Sequence, residues 1–283
     1  MQKILVLGST GKVGHVLTRD LLQAGETVRA ATRQPSRFPA TPGAEPVYFD
    51  YTDPATYEVA LEGCNRVFFL EPQPFLPAAP DTYMVPFVKT ASRSNCKIVM
   101  ISSGSVAFIS DDPLRSVEEA VQQSGSPYVI LRPNWFMDNF HTMWIEPILQ
   151  ASVLPLPAGD ARSAFVDSRD VAATAAAALR TNALDGGILT LTGPEALSYT
   201  EVASHLSHTS GRRIRYVPTD DASFLQSLLD IGLPPEAAHF LTGLFVATRK
   251  GASAEITDHV QRVTGRPPRA FAEYAQDYAS TWR

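Results

Sequence analysis

Three glycines spaced three apart, in Gly8-Ser9-Thr10-Gly11-Lys12-Val13-Gly14, are the first residues in the chain whose types and spacing could do chemistry. Such a turn suits a pyrophosphate. Gly8 can reverse the chain, Gly11 can let the backbone approach the phosphates, and Gly14 can let the following helix pack on the preceding strand. The start of that helix would add unpaired N–H groups and a partial positive charge. About twenty residues on, an NAD site would carry an acidic residue for the ribose 2′-hydroxyl. Here stand Ala31-Thr32-Arg33, with Arg37 shortly after. A guanidinium brings charge and a forked donor set that suit a 2′-phosphate. NADPH/NADP is therefore expected over NAD; the plainer reading of both arginines is a solvated loop.

Other candidates are less specific. Trp135, Phe136, Met137, Phe140 and Trp144 form an apolar, aromatic-rich stretch. They would either wall a pocket for a flat substrate, since aromatic faces suit planar ligands and cations, or fill a core. Asp138 and His141 in the same stretch could supply a proton, and Asp138 could equally cap a helix. The segment from Pro72 to Pro86, with five prolines and Tyr83, reads as a lid or substrate wall, or as a stiff surface loop. His205 and His208 lie three apart on an expected helix with no carboxylate at ligand spacing, so no metal is expected. No Gly-x-Ser-x-Gly elbow is present, which argues against a hydrolase.

The elements that must position these residues can be read in order. Ile4-Leu5-Val6-Leu7 is a continuous apolar run suited to a parallel strand covered on both faces. An amphipathic helix follows from His15 to Ala24. Further strands are expected at 27–32, 47–49, 66–70, 97–101 and 128–131, with helices between them, including 85–92 and 115–123. Asp50 ends the third strand, where it could accept from an adenine amino group, and Asp53-Pro54 reads as a helix start. This alternation predicts an α/β, Rossmann-type doubly wound parallel sheet with ligands at the carboxyl ends of the strands. From Pro155 the texture changes to proline, glycine and short segments. The expected division is a dinucleotide-binding domain over 1–154 and a smaller α/β substrate lobe over 155–283, with interleaving allowed and substrate in a cleft between the lobes. Within the second part, Asp170 is expected to cap a helix over 171–179, and Ser198 with Glu201 forms a capping box.

These residues resemble the atypical short-chain dehydrogenase/reductases of the NmrA-like group. The resemblance is carried by the glycine turn, the Arg33 position, Asp50-Tyr51-Thr52-Asp53, Val117-Glu118-Glu119-Ala120, Leu131-Arg132-Pro133 and Phe165-Val166-Asp167 with Asp170-Val171-Ala172. It spans nearly the whole chain. The tail from Ser207 through Gly232-Leu233-Pro234 to Lys250-Gly251 is similar to the triphenylmethane reductase and NADPH quinone reductase branch. Residues 132–140 are similar to iminium reductases of the festuclavine synthase type. The resemblance implies that Gly8, Thr10, Gly11, Lys12, Val13 and Gly14 hold the pyrophosphate and Arg33 the 2′-phosphate. Asp50 and Tyr51 would flank the adenine, and Leu70, Glu71 and Pro72 would line the cofactor. Ser102, Ser103, Pro133, Asn134, Trp135 and Phe136 would approach the nicotinamide. Ser103 falls near the superfamily's catalytic serine, with a strand-end turn residue as the alternative. One departure stands out: no tyrosine has a lysine four residues later. Counting back from Ser124-Gly125 puts Ser110 and Leu114 at those two positions. A tyrosine-assisted alcohol dehydrogenase is therefore not expected, whereas an acceptor that is already electrophilic (a quinone, an iminium or a dye cation) needs no strong acid.

Composition narrows the rest. A net charge of −5 and a pI near 5.7 argue against a nucleic-acid surface. Two cysteines in 283 residues make no disulfide framework. No apolar run approaches a membrane span, and Met1-Gln2-Lys3 leads directly into a strand. A cytoplasmic monomer or homodimer acting on a small molecule, in secondary metabolism or detoxification, is the expectation. Three functions remain open at this point: a reductase, a dinucleotide-binding regulator without turnover, and a non-redox isomerase or cyclase.

Overall fold

The computed structural model describes residues 2–72 and 79–282. Its first unit comprises residues 1–133, 168–190 and 262–265; the second comprises 134–167, 191–261 and 266–283. No helix among the described residues is long and apolar enough to cross a membrane.

In the first unit the chain runs β1 (Lys3–Val6), α1 (Lys12–Gln23), β2 (Thr27–Thr32), β3 (Ala44–Tyr48), α2 (Ala55–Leu61), β4 (Cys64–Leu70), α3 (Pro80–Arg93), β5 (Lys97–Ile101), α4 (Arg115–Gln122) and β6 (Tyr128–Pro133). A later strand, Gly187–Leu191, completes a seven-stranded parallel sheet in the order β3-β2-β1-β4-β5-β6 and then 187–191. Burial on both faces explains why Ile4, Leu5, Val6, Val67, Phe68, Phe69, Ile98 and Val99 are all apolar and inaccessible to water. Strand order reverses between β1 and β4, which puts the Gly8 turn at the position where open α/β sheets bind ligands.

Two buried contacts account for parts of the family pattern. Glu118 on α4 meets Arg132 on β6 through two parallel bonds, Nε to Oε1 at 2.9 Å and Nη2 to Oε2 at 2.5 Å. The guanidinium fork meets both oxygens of this deeply set carboxylate. Around the end of β3, Tyr57 Oη donates to the Tyr51 carbonyl at 2.7 Å, and Phe49, Tyr51, Tyr57 and Phe87 pack edge to face or stacked.

The expected boundary at 154/155 is not where the chain divides. It leaves the sheet at Pro133 and returns for the helix Ser168–Arg180 and the strand 187–191. The alanines of that helix let it lie against α1, and Lys97 on β5 bonds the Thr181 carbonyl and the Asp185 carboxylate of the returning segment. The change of texture at Pro155 marks only a short strand inside the second unit.

The second unit holds two small strand pairs, 153–156 with 215–218 and 162–163 with 197–198, among helices. Ser198 and Glu201 form the expected capping box, Ser198 Oγ accepting from Glu201 N at 3.2 Å and Ser198 N donating to Glu201 Oε2 at 2.8 Å. Its core is aromatic, with Phe140, Phe165, Tyr199, Phe245, Phe271, Tyr274 and Trp282 fully buried.

Candidate active site

The glycine turn has the geometry a phosphate cradle needs. Gly8 has φ +65°, a left-handed conformation that disfavours side chains. A Cβ on Gly14 would lie 2.1 Å from the Gly8 carbonyl oxygen, so only glycine lets α1 start this close to the turn. On Gly11 an added Cβ would meet only the Gly8 carbonyl, at 3.2 Å, and the residue is exposed. No side chain caps α1 at Gly11, which leaves first-turn N–H groups for a ligand. Ser9 fixes the turn to the sheet, its hydroxyl donating to the Ala31 carbonyl at 2.8 Å. Thr10 and Lys12 are exposed beside it, and Val13 is buried beneath.

The Arg33 side chain emerges at the end of β2, exposed and with no bond to any described residue, while the Arg37 guanidinium is exposed and, among the described residues, bonded only to Gln34 Oε1, at 3.3 Å. Asp50 spends one carboxylate oxygen on Thr52 N and Oγ1, both at 2.8 Å. Tyr51 is turned inward and donates to the Leu70 carbonyl at 3.1 Å. It fixes the end of β4 and presents no ring face to a ligand.

The ends of β4 and β5 carry the titratable groups. Leu70 rides over Gly8, and Glu71 and Pro72 follow it, half-buried. Burial pushes the Glu71 carboxyl up to about 7; the Asp112 carboxylate adds to this and the Tyr83 hydroxyl opposes it. Tyr83 is pushed up in turn, chiefly by burial and then by Glu71, yet its hydroxyl has no close hydrogen-bond partner among the described residues. The two groups face one another without closing a full bond. Ser102 Oγ is buried with no described partner, an orphaned polar atom at the strand end that a ligand could satisfy. Ser103 Oγ lies 2.5 Å from Ser105 Oγ, and Ser105 donates to Asp112 Oδ2 at 2.5 Å. Cradle, arginines and orphaned serine together fit a dinucleotide with a 2′-phosphate.

Several sequence candidates are placed differently from expectation. Tyr83 is not in a loop: α3 begins at Pro80, a residue tolerated in the first turn of a helix, and Tyr83 is buried on it. Residues 73–78 of the expected lid lie outside the described residues. Within the second unit, Met137, Phe140 and Trp144 are core residues, inaccessible to a substrate, because they interdigitate with Phe165, Tyr199, Phe245 and Phe271. Trp135, stacked on Phe245 at 4.9 Å, and Phe136 remain half-buried. Asn134 is committed to the Ser253 carbonyl and the Trp135 amide. Pro133 is buried at the end of β6. Asp138 is buried in a short turn whose N-cap position is Phe136. His141 meets Tyr274 Oη at 2.6 Å and stacks on Tyr278. Ser110 is exposed and Leu114 buried. Sequence reasoning missed Ser105 and Asp112 altogether, since Ser110-Asp111-Asp112-Pro113 looks like any polar loop.

Comparison with known proteins agrees with this geometry. Residues 8–182 match the family described as NAD(P)H-binding, and residues 112–274 match the NmrA-like family. The chain is 33% identical over 280 residues to the uncharacterized oxidoreductase YesF of Bacillus subtilis, covering 99% of this chain and 96% of that one. It is 34% identical over 285 residues to (4-alkanoyl-5-oxo-2,5-dihydrofuran-3-yl)methyl phosphate reductase of Streptomyces griseus, covering 99% of each. Among solved structures, NADPH-dependent quinone oxidoreductase QOR2 from Escherichia coli, complexed with NADPH, superposes with a TM-score of 0.85. It is 24% identical and covers 97% of this chain and 99% of its own.

Proposed function

The chain belongs to the NmrA-like family of NAD(P)H-binding oxidoreductases, and on that premise we propose that it is an NADPH-dependent reductase of a small, planar, electrophilic acceptor. The observation that carries this reading is the Gly8–Gly14 contact, which brings an uncapped helix start against the strand turn at the switch point of the sheet. Preference for NADPH is supported by Arg33, exposed and uncommitted where an NAD site would place a carboxylate. When bound, the dinucleotide supplies hydride. The chain's part is to hold it through backbone N–H groups, to grip its 2′-phosphate with Arg33 and Arg37, and to exclude water at the strand ends.

The test is calorimetric titration with NADPH and, in parallel, NADH. NADPH is expected to bind at least roughly tenfold more tightly, ~1.4 kcal/mol, and Arg33→Ala to remove most of that difference while leaving NADH affinity in place. Equal affinities would refute the preference, and no binding of either would refute the reductase reading. Binding without oxidation by any quinone, iminium or cationic dye would leave a dinucleotide-responsive regulator instead.

A further inference from the structure

A line of three hydrogen-bonded side chains begins at the carboxyl end of β5. Ser103 is part-exposed, Ser105 and Asp112 are almost wholly buried, and the two oxygen-to-oxygen steps are each 2.5 Å. A hydroxyl has one hydrogen to give, so the Asp112 carboxyl sets the direction of the whole line. When it is ionised, Ser105 donates to it, Ser103 donates to Ser105, and Ser103 has nothing left to offer outward. When it carries a proton, Asp112 donates to Ser105 and Ser105 to Ser103, which frees the Ser103 hydrogen for an acceptor beyond.

The surroundings of Asp112 shift its carboxyl upward from the ordinary aspartate range. Burial raises its carboxyl, as does the charge of Glu118 on α4; Ser105, the Leu114 amide and Arg115 pull it back, and the net direction is upward. Arg115 forms no ion pair with it, because its guanidinium is spent on the carbonyls of Val106, Ile109 and Ser110. Between the two carboxyls it is Asp112 whose charge raises Glu71, at the end of β4. Asp112 also lines an open cavity of about 290 Å³ together with Asp81, Ser110, Asp111 and Glu119. That cavity brings solvent up to the residue at the far end of the line.

We infer that Ser103, Ser105 and Asp112 form a proton relay, and that the acceptor of this reductase is one whose reduction leaves negative charge on oxygen, a quinone or a conjugated carbonyl. The inference rests on the reductase reading above. Hydride adds to the acceptor carbon, forming a C–H bond, and the π pair moves to the acceptor oxygen. That oxygen takes the Ser103 hydrogen, Ser103 takes the Ser105 hydrogen, and Ser105 takes the Asp112 proton. The carboxylate is reprotonated from solvent at the cavity. One hydride from NADPH and one solvent proton are consumed per turnover. Ser103 is the catalytic residue, and Ser105 and Asp112 act through it. An iminium or a dye cation is neutralised by hydride alone and needs none of this.

The experiment compares wild type, Ser105→Ala and Asp112→Asn with two acceptors, a benzoquinone and a cationic triarylmethane dye, at saturating NADPH. The quinone kcat is expected to fall at least tenfold relative to the dye kcat in both variants, with quinone KM little changed and the alkaline limb of the quinone pH profile lost. A second readout needs no turnover: carboxyl ¹³C resonances of the cofactor-free protein, with Asp112 assigned by its absence in Asp112→Asn. Its titration should lie above the ordinary aspartate value of about 3.9 and move higher in Ser105→Ala, which removes a donor to the carboxylate. Equal losses with both acceptors, a wild type that reduces only the dye, or an Asp112 that titrates at or below the ordinary value would overturn the relay and leave the reductase reading standing. A wild type that oxidises NADPH with neither acceptor would overturn the reductase reading itself. Melting curves and Ser103→Ala, which should show the same acceptor-dependent loss, separate misfolding from loss of the relay.

Discussion

Replacing Glu71 with glutamine should stabilise the protein in a strongly pH-dependent way. The carboxyl at the end of β4 moves from 4.5 to about 7 on folding because the fold strips it of water and sets the Asp112 carboxylate near it. At about 1.36 kcal/mol for each pH unit, this difference is worth about 3 kcal/mol. The native state binds this proton more tightly than the unfolded chain, so the contribution is fully present below pH 4.5 and is lost as pH rises through about 7. Glutamine keeps the shape and has no proton to lose. Urea or thermal unfolding of the dinucleotide-free protein should give similar relative stabilities at pH 4.5 and a gap opening in favour of Glu71→Gln by pH 8. A gap of about 3 kcal/mol corresponds to a Tm difference of roughly 5 °C. Asp112 titrates in both proteins, so its own contribution largely cancels in the comparison. If the difference between the two proteins stays constant from pH 4.5 to 8, the Glu71 carboxyl is not held in a dehydrated, like-charged setting and the reasoning fails.

Two further outcomes follow from named contacts. Gly14→Ala puts a methyl group 2.1 Å from the Gly8 oxygen; displacing α1 should cost about 1–3 kcal/mol and weaken NADPH binding at least tenfold, read by denaturation and calorimetry. Glu118→Gln leaves the half-buried Arg132 without its carboxylate; a loss of about 3 kcal/mol is expected in urea unfolding, with m unchanged, and a loss under 1 kcal/mol would contradict the pair's placement.

How much of the fold could be read in advance depended on whether one element alone produced the signal. Ile4 to Leu7 had to be a covered strand because nothing else buries four apolar residues in a row beside a glycine turn, and the Ser198–Glu201 box is a local bond visible at a spacing of three. The start of α3 was hidden because Pro80 and Pro86 read as loop punctuation. Yet proline is tolerated in the first turn, and at Pro86 the chain accepts the missing N–H within a long helix. The return of 168–190 to the sheet was hidden for a different reason. Its alanines permit packing on almost anything, and the choice of α1 as partner, with Lys97 reaching Thr181 and Asp185, is made by residues some ninety positions away.

The site divides along the same line. Dinucleotide binding at β1 is done by backbone, and backbone that must approach a ligand or another chain segment excludes side chains, so it writes itself into the sequence as Gly8, Gly11 and Gly14. Proton transfer at β5 is done by hydroxyls and a carboxyl whose roles come only from their contacts. Ser105 is one of several serines after β5 and Asp112 one of two adjacent aspartates. Asp111 is exposed while Asp112 is buried against Ser105 and the Leu114 amide. Nothing in Ser-Asp-Asp-Pro says which of the two faces inward; that is settled by the Ser105 hydroxyl and the Leu114 amide that meet Asp112. A search for a tyrosine–lysine pair therefore looks for a motif, whereas this chain offers a route, and routes can only be found once the sheet has brought Ser103 and Asp112, nine residues apart, within two hydrogen bonds of each other.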